Sequence, residues 1–336
     1  MGTKLSTLSK KSRHSMASSN SNLSTTTKKS FKHNDEIHKQ PLPNSKHSHD
    51  NESCLSESSI NTAGRSFHHV SNSAYWLPND NEEMDRLVGQ HFAIKSLFGG
   101  NIMNCISESI EIEYKNNIVL DLGCGPGTWL MDVATEYPTS QFIGVDMCDI
   151  FPSNIRPPNV SFQTGNALER LPFPDNTFDL VNVRLFILAL MKYEWSTVIK
   201  EIYRVLKPGG FVQMIECGML ERGNEFVKYC SRIFEDVIDN RGQDPYIMYK
   251  LESLLESNHF YIYHFERKDI YLGKPDPLSR EFLWDVCNIF KAAQMAIQTP
   301  LGYTQNNYHQ FLDILYKELQ KQPDATWSFS VCVGQK

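Results

Sequence analysis

Residues 117–147, NIVLDLGCGPGTWLMDVATEYPTSQFIGVDM, leave this chain few ways to fold. Ile118, Val119, Leu120 and Leu122 make a short apolar, β-branched-rich run of the kind buried in a parallel sheet. Gly123, Gly125 and Gly127 follow at once, where the backbone must turn sharply and let another group come close. A helix is expected from Thr128, carrying Leu130, Met131, Val133 and Ala134 until Pro138 ends it. A second strand over residues 141–145 finishes in Asp146. The whole is one βαβ unit, with glycines after its first strand and a carboxylate after its second.

Loop amides at such a turn face a ligand, and a carboxylate placed like Asp146 can accept hydrogen bonds from two ribose hydroxyls. The unit therefore reads as a nucleoside site. A dinucleotide fingerprint needs G-x-G-x-x-G, but Thr128 stands where the third glycine belongs. The spacing here is G-x-G-x-G, and Asp121 lies two residues before its first glycine. A carboxylate there would repel a pyrophosphate. It suits the ammonium group of S-adenosylmethionine, which carries no phosphate. Thr128 and Asp121 together argue against a nicotinamide-dependent oxidoreductase.

These residues resemble the class I S-adenosylmethionine-dependent methyltransferases. Residues 121–127 look like that family's first motif, and Gly144-Val145-Asp146-Met147 looks like its second. Gly165-Asn166-Ala167, Leu171-Pro172-Phe173 and Phe178-Asp179-Leu180-Val181 are similar to the next pair, and residues 206–210, LKPGG, to the turn before the fifth strand. The entry segment Tyr75-Trp76-Leu77-Pro78-Asn79-Asp80, with Glu83, Arg86-Leu87 and Gln90-His91, resembles the fungal LaeA-like group. The resemblance runs from about Tyr75 to the C-terminus. It implies an α/β fold: a Rossmann-like, doubly wound, seven-stranded, mostly parallel sheet with an antiparallel last strand. A methyltransferase domain is expected over residues 74–336, with a cofactor-binding core at about 117–217, a helical lid at about 220–258, and further strands and helices over 259–336. Carried onto this chain, it implies cofactor contacts at Tyr75, at Asp121, Gly123, Cys124 and Gly125, at Asp146 and Met147, at Asn166 and Ala167, and at Arg184 through its backbone. The family usually has Asp where Asn166 stands. The Asn166 carbonyl can still accept from an adenine amino group, though a plain turn residue is the other reading.

Charge narrows the partners. The chain of 336 residues has a formal charge of −6, unevenly placed. Residues 1–73 hold ten Lys/Arg against five Asp/Glu, which leaves −11 on the remainder. An acidic body argues against nucleic acid, which demands a basic surface. The eight cysteines include no C-x-x-C pair, so neither zinc nor a disulfide framework is expected. No apolar signal-peptide core opens the sequence, and its longest apolar run, residues 185–191, falls far short of the ~20 residues that span a bilayer. A thiol-reduced intracellular protein follows, cytoplasmic or nuclear.

Residues 1–73 are rich in Ser, Asn, Thr, Lys and His and are expected to be disordered and dispensable for ligand binding, with order beginning at Tyr75. Met1-Gly2-Thr3-Lys4-Leu5-Ser6 fits the acceptor pattern for N-myristoylation, and Lys10, Lys11 and Arg13 follow it. An acyl chain plus a basic cluster would give weak peripheral membrane association. A chance match in a low-complexity tail is the plainer reading.

Beyond the tail, Asp80 and Glu83 form a capping box, and Met84, Leu87, Val88, His91, Ile94 and Phe98 recur at helical spacing until Gly99-Gly100. His91 on that apolar face reads first as a core histidine with a satisfied ring, and second as a catalytic base. Strands are expected at residues 160–163, 177–183, 211–215, 259–271 and 326–333. A helix between the second and third of these carries the stripe Trp195, Val198, Ile199, Ile202 and Leu206. Glu216, at a strand's carboxyl end, could touch substrate as a catalytic group or pair with a cation. The expected reaction is in-line displacement at a sulfonium methyl, in which alignment carries most of the acceleration. No Asn/Asp-Pro-Pro-Tyr sequence follows the fourth strand, so that class of N-methylation is not supported. The expected acceptor is a small molecule. The competing reading is a regulatory protein, engaging a protein partner, that binds the cofactor with little turnover.

Overall fold

The computed structural model describes residues 59–62, 64–68, 70, 73–152 and 155–336. The disorder expected of residues 1–58 and the acylation of Gly2 lie outside them. Order does not begin at Tyr75. A two-stranded antiparallel hairpin, β1 (Ser59–Thr62) and β2 (Arg65–His68), precedes it, turning through Gly64 at φ +80°. Arg65 grips Asp80 through two side-chain bonds of 2.6 and 2.9 Å. Asp80 is also the N-cap of α1 (Asn81–Phe98), accepting from the Glu83 amide at 3.1 Å, and Gly99 closes that helix in the left-handed conformation. One carboxylate thus starts the helix and ties down the hairpin.

After α1 come α2 (Asn104–Ser109), β3 (Ile118–Leu122), α3 (Thr128–Glu136), β4 (Gln141–Asp146), β5 (Val160–Thr164), β6 (Phe178–Arg184) and α4 (Trp195–Val205). β7 (Leu206–Glu221), α5 (Glu225–Asn240), α6 (Leu251–Ser257) and β8 (Tyr261–Tyr271) follow. The chain closes through α7 (Pro277–Ala292), α8 (Gln294–Ile297), α9 (Tyr308–Lys321) and β9 (Thr326–Gln335). The sheet order is β5-β4-β3-β6-β7-β9-β8. Neighbours from β5 to β7 run parallel, and β9 lies antiparallel between β7 and β8. The expected seven-stranded sheet with one reversed last strand is what forms. β3 and β9 are buried on both faces along nearly their whole length, as strands under helices on both sides must be.

Two local expectations shift. Residues 206–210 are no separate turn but the bulged beginning of β7: Leu206 pairs with Phe178 and Phe211 with Leu180, and Gly209 takes φ +79° where the extra residues loop out. Leu206 therefore leaves the α4 stripe, which keeps Trp195, Val198, Ile199 and Ile202 buried. α1 is also rotated from its expected face. Val88 is 39% exposed, while Glu83, Arg86 and Gln90 are buried. Arg86 bonds Glu83 at 2.7 Å and Asp285 of α7 at 2.7 Å, and Gln90 bonds the other Asp285 oxygen at 2.9 Å. Buried charges this well paired are tolerated, and no periodicity of apolar residues reveals them.

Candidate active site

Sheet order reverses at β3, and ligands in such sheets bind beyond the carboxyl ends of the strands at the reversal. A crevice of about 250 Å³ lies there, walled by the loop after β3, the ends of β4 and β6, α1 and the hairpin. Asp121, Gly123, Cys124, Gly125, Asp146, Met147, Asn166, Ala167, Arg184, Tyr75 and His91 all line it. Glu216 does not.

The glycine loop is built differently from the expectation. A Cβ on Gly123 would sit 2.2 Å from the Phe186 ring, so Gly123 admits a side chain of this same protein rather than a ligand. Gly127 and Gly144 do likewise for Phe162, with clearances of 2.6 and 2.7 Å. Gly125 is the exception: at φ +53° its Cβ position meets nothing within 4 Å, so it leaves its side of the crevice open.

Two carboxylates flank that opening. Asp146 accepts from the Gly125 amide at 2.8 Å on one oxygen and from the Cys148 amide at 2.9 Å on the other. Each oxygen keeps a lone pair, enough for two ribose hydroxyls. Burial raises its pKa above the ordinary carboxylate value, and the backbone amides oppose that. Asp121, 3% exposed, accepts from Asn182 at 2.8 Å, and desolvation pushes its pKa up to about 6 against the pull of Arg184. Its second oxygen has no hydrogen-bond donor among the described residues. The paired acceptors and a desolvated anion fit a ribose and an ammonium group. Arg184 adds a guanidinium, 6.0 Å over the Trp129 ring and bonded to His91 Nδ1 at 3.2 Å. Arg184 lines the crevice and is the guanidinium there that could face a ligand's carboxylate.

The two catalytic candidates fare differently from the cofactor residues. The His91 Nε2–H donates to Asp132 at 3.0 Å while Nδ1 accepts from Arg184. Burial, and then the Arg184 charge, push the ring pKa down to about 4, so it is neutral and both nitrogens are taken. This is the core-histidine arrangement, and the base expected of His91 has no lone pair to offer. Glu216, fully buried, takes the Phe186 amide at 2.7 Å and the Ile187 amide at 3.2 Å. It touches neither crevice nor cation. It pins the tight turn over residues 186–188 that follows Leu185, a leucine held at φ +59°, and so seats Phe186 against Gly123. The Asn166 carbonyl accepts from the Leu168 amide at 2.9 Å, which makes it a turn residue that also lines the crevice.

Several lining residues lie outside the expected set, Phe186 and His68 among them. His68, in the supposedly disordered tail, stacks on Tyr75 with ring centroids 6.0 Å apart. Its Nε2–H donates to the Tyr75 carbonyl at 3.0 Å, leaving Nδ1 to accept from the Val70 amide at 3.4 Å. The signal was there in two four-residue runs joined by Ala63-Gly64, a short hairpin pattern.

Strand order, the reversed β9 and carboxylates ending two adjacent strands across an open glycine define the class I S-adenosylmethionine-dependent methyltransferase fold. S-adenosylmethionine is the cofactor of that class. Residues 119–210 match the family described as a methyltransferase domain. It is 33% identical over 154 residues to the secondary metabolism regulator laeA of Coprinopsis cinerea, covering 46% of this chain and 38% of that protein. It is 31% identical over 166 residues to the N-methyltransferase verN of Clonostachys rogersoniana, covering 48% of this chain and 56% of that protein. The chain thus spans about two fifths to just over half the length of these relatives. Among solved structures, it aligns with phosphoethanolamine N-methyltransferase 2 of Haemonchus contortus in complex with S-adenosyl-L-methionine at a TM-score of 0.44 and 20% identity, covering 81% of this chain and 61% of that one.

Proposed function

We propose that the chain is a methyltransferase that moves the methyl group of S-adenosylmethionine to a small-molecule acceptor by in-line displacement. The observation carrying this reading is the pair of carboxylates, Asp121 and Asp146, on either side of the open Gly125. Asp146 holds the ribose, Asp121 the ammonium, Arg184 the carboxylate, and Tyr75 and Ala167 close the crevice around the nucleoside. Bound there, the cofactor supplies a methyl group already activated on a sulfonium. The protein's own contribution is orientation and exclusion of water, an effect worth up to about 7–11 kcal/mol when reactants are well aligned.

The histidines support this division of labour. Both ring nitrogens of His68 and of His91 are occupied, so neither is arranged to take a proton from an acceptor. The test is calorimetry with S-adenosylhomocysteine, followed by labelling of a cell extract with methyl-tritiated cofactor and separation of protein from small-molecule products. Saturable binding with label in the small-molecule fraction is expected. Binding with no label anywhere favours a regulator that reads the cofactor without turnover. Absence of saturable binding removes the cofactor site altogether.

A further inference from the structure

On the reading above the crevice of about 250 Å³ is taken by the cofactor, so an acceptor needs space beside it. A second cavity of about 70 Å³ adjoins it, sharing Ile187, Leu188, Cys217 and Ile289 as its common wall. Phe234 of α5, Phe290 of α7 and Trp327 of β9 form its far side. It is under a third of the crevice's size, room for a small group only.

The strong hydrogen-bonding side chains on that lining, those of Trp327 and Ser231, are already engaged. The Trp327 indole N–H donates to the Gly218 carbonyl at 2.8 Å. The Ser231 hydroxyl donates to the Leu220 carbonyl at 2.7 Å and lies 2.9 Å from Glu235. Burial raises the Cys217 thiol pKa well above its usual range and keeps it protonated. A charged or hydrogen-bonding group moved into this space would lose water and find no partner, which costs ~1–3 kcal/mol for a neutral polar group and more for a charge. A small apolar group gains instead, at about 25 cal/mol per Å² buried.

Resting on the cofactor reading above, we infer that the second cavity is the acceptor subsite, and that it takes a small, uncharged, apolar group. The nucleophilic atom then lies at the shared wall of Ile187, Leu188, Cys217 and Ile289. Among the described residues there is no unengaged base at that wall, so the acceptor attacks with a lone pair it already owns. That pair forms the bond to the methyl carbon, the carbon–sulfur pair leaves with sulfur, and the positive charge passes to the acceptor. Any proton the acceptor carries is lost afterwards to water.

The experiment titrates protein saturated with S-adenosylhomocysteine with toluene, and separately with benzylammonium, by ligand-observed NMR, for the native chain and for Val286→Trp. Val286 lines the second cavity and not the first, so tryptophan fills one without touching the other. Expected are saturable toluene binding, benzylammonium at least about tenfold weaker, and a Val286→Trp protein that keeps its S-adenosylhomocysteine affinity within about twofold but loses toluene by at least about tenfold. Toluene failing to saturate while S-adenosylhomocysteine binds overturns the acceptor subsite alone. So does equal binding of the two probes, or a variant that holds toluene unchanged. Should S-adenosylhomocysteine itself not bind the native chain, the cofactor reading falls and takes this one with it. If Val286→Trp does not fold, the comparison of the two probes on the native chain decides.

Discussion

Asp121 ties cofactor binding to pH in a way that can be worked from its surroundings. Desolvation holds its carboxyl at about 6 in the free protein, against an ordinary value of 3.8. A cationic ligand beside it draws it back toward the ordinary value, so binding is linked to proton release. With those two values, affinity for S-adenosylhomocysteine is expected to fall roughly tenfold between about pH 8 and about pH 5. Stability of the free protein moves the other way. Because the folded pKa is raised, the group's contribution is complete below 3.8 and is lost as pH rises through 6. At 1.36 kcal/mol per decade that gap is about 3 kcal/mol. Asp121→Asn keeps an oxygen for Asn182 and removes the titration. Asp146, also raised by burial, continues to titrate in the variant, so the difference between the two proteins isolates Asp121. Calorimetry across this range in two buffers of different ionisation enthalpy counts the protons, and urea denaturation follows stability. A variant with the native pH slope, or a native affinity that stays flat, refutes the assignment.

Glu216→Gln is expected to lower stability by about 1.5–3 kcal/mol in urea denaturation, because one of the two buried amides it holds then faces an NH₂ group; an unchanged midpoint contradicts its holding role. Gly123→Ala should destabilise the fold by at least about 2 kcal/mol through the Phe186 ring and the left-handed backbone. Gly125→Ala should cost only about 1–2 kcal/mol of backbone strain but weaken S-adenosylhomocysteine at least about tenfold, since its methyl enters open crevice. If calorimetry and denaturation return the opposite order, the crevice lies elsewhere. Deleting residues 1–58 should leave that affinity within about twofold, whereas deleting 1–70 takes away His68 and the Arg65–Asp80 pair and should weaken it about fivefold, or ~1 kcal/mol. Equal affinities for the two truncations would show that the hairpin does nothing for the site.

What could be read from the sequence, and what could not, divides by the range of the interaction. The βαβ unit, the α1 capping box and the strands that follow are written in residues a few positions apart, and each formed within a few residues of its expected place. So did the two carboxylates at strand ends, because a strand's end fixes where its next side chain goes. The LKPGG stretch was misplaced since a bulge and a turn share the same glycines, and only pairing with β6 separates them. α1 was rotated wrongly since Arg86 finds its second carboxylate 199 residues away on α7.

The same distinction explains the catalytic candidates. His91 and Glu216 were singled out for being titratable and well placed along the chain, which says nothing of who holds their polar atoms. Asp132 and Arg184 lie 41 and 93 residues from His91, and Phe186 lies 30 from Glu216. Those partners convert two apparent reactive groups into fixed ones. A neutral His91 accepts from Arg184 at the crevice, and Glu216 seats Phe186 on Gly123, so both act on the crevice through a neighbour. The alignment proposed above needs a lone pair and a methyl group held in line, and side chains fixed in this way serve it better than a free base would.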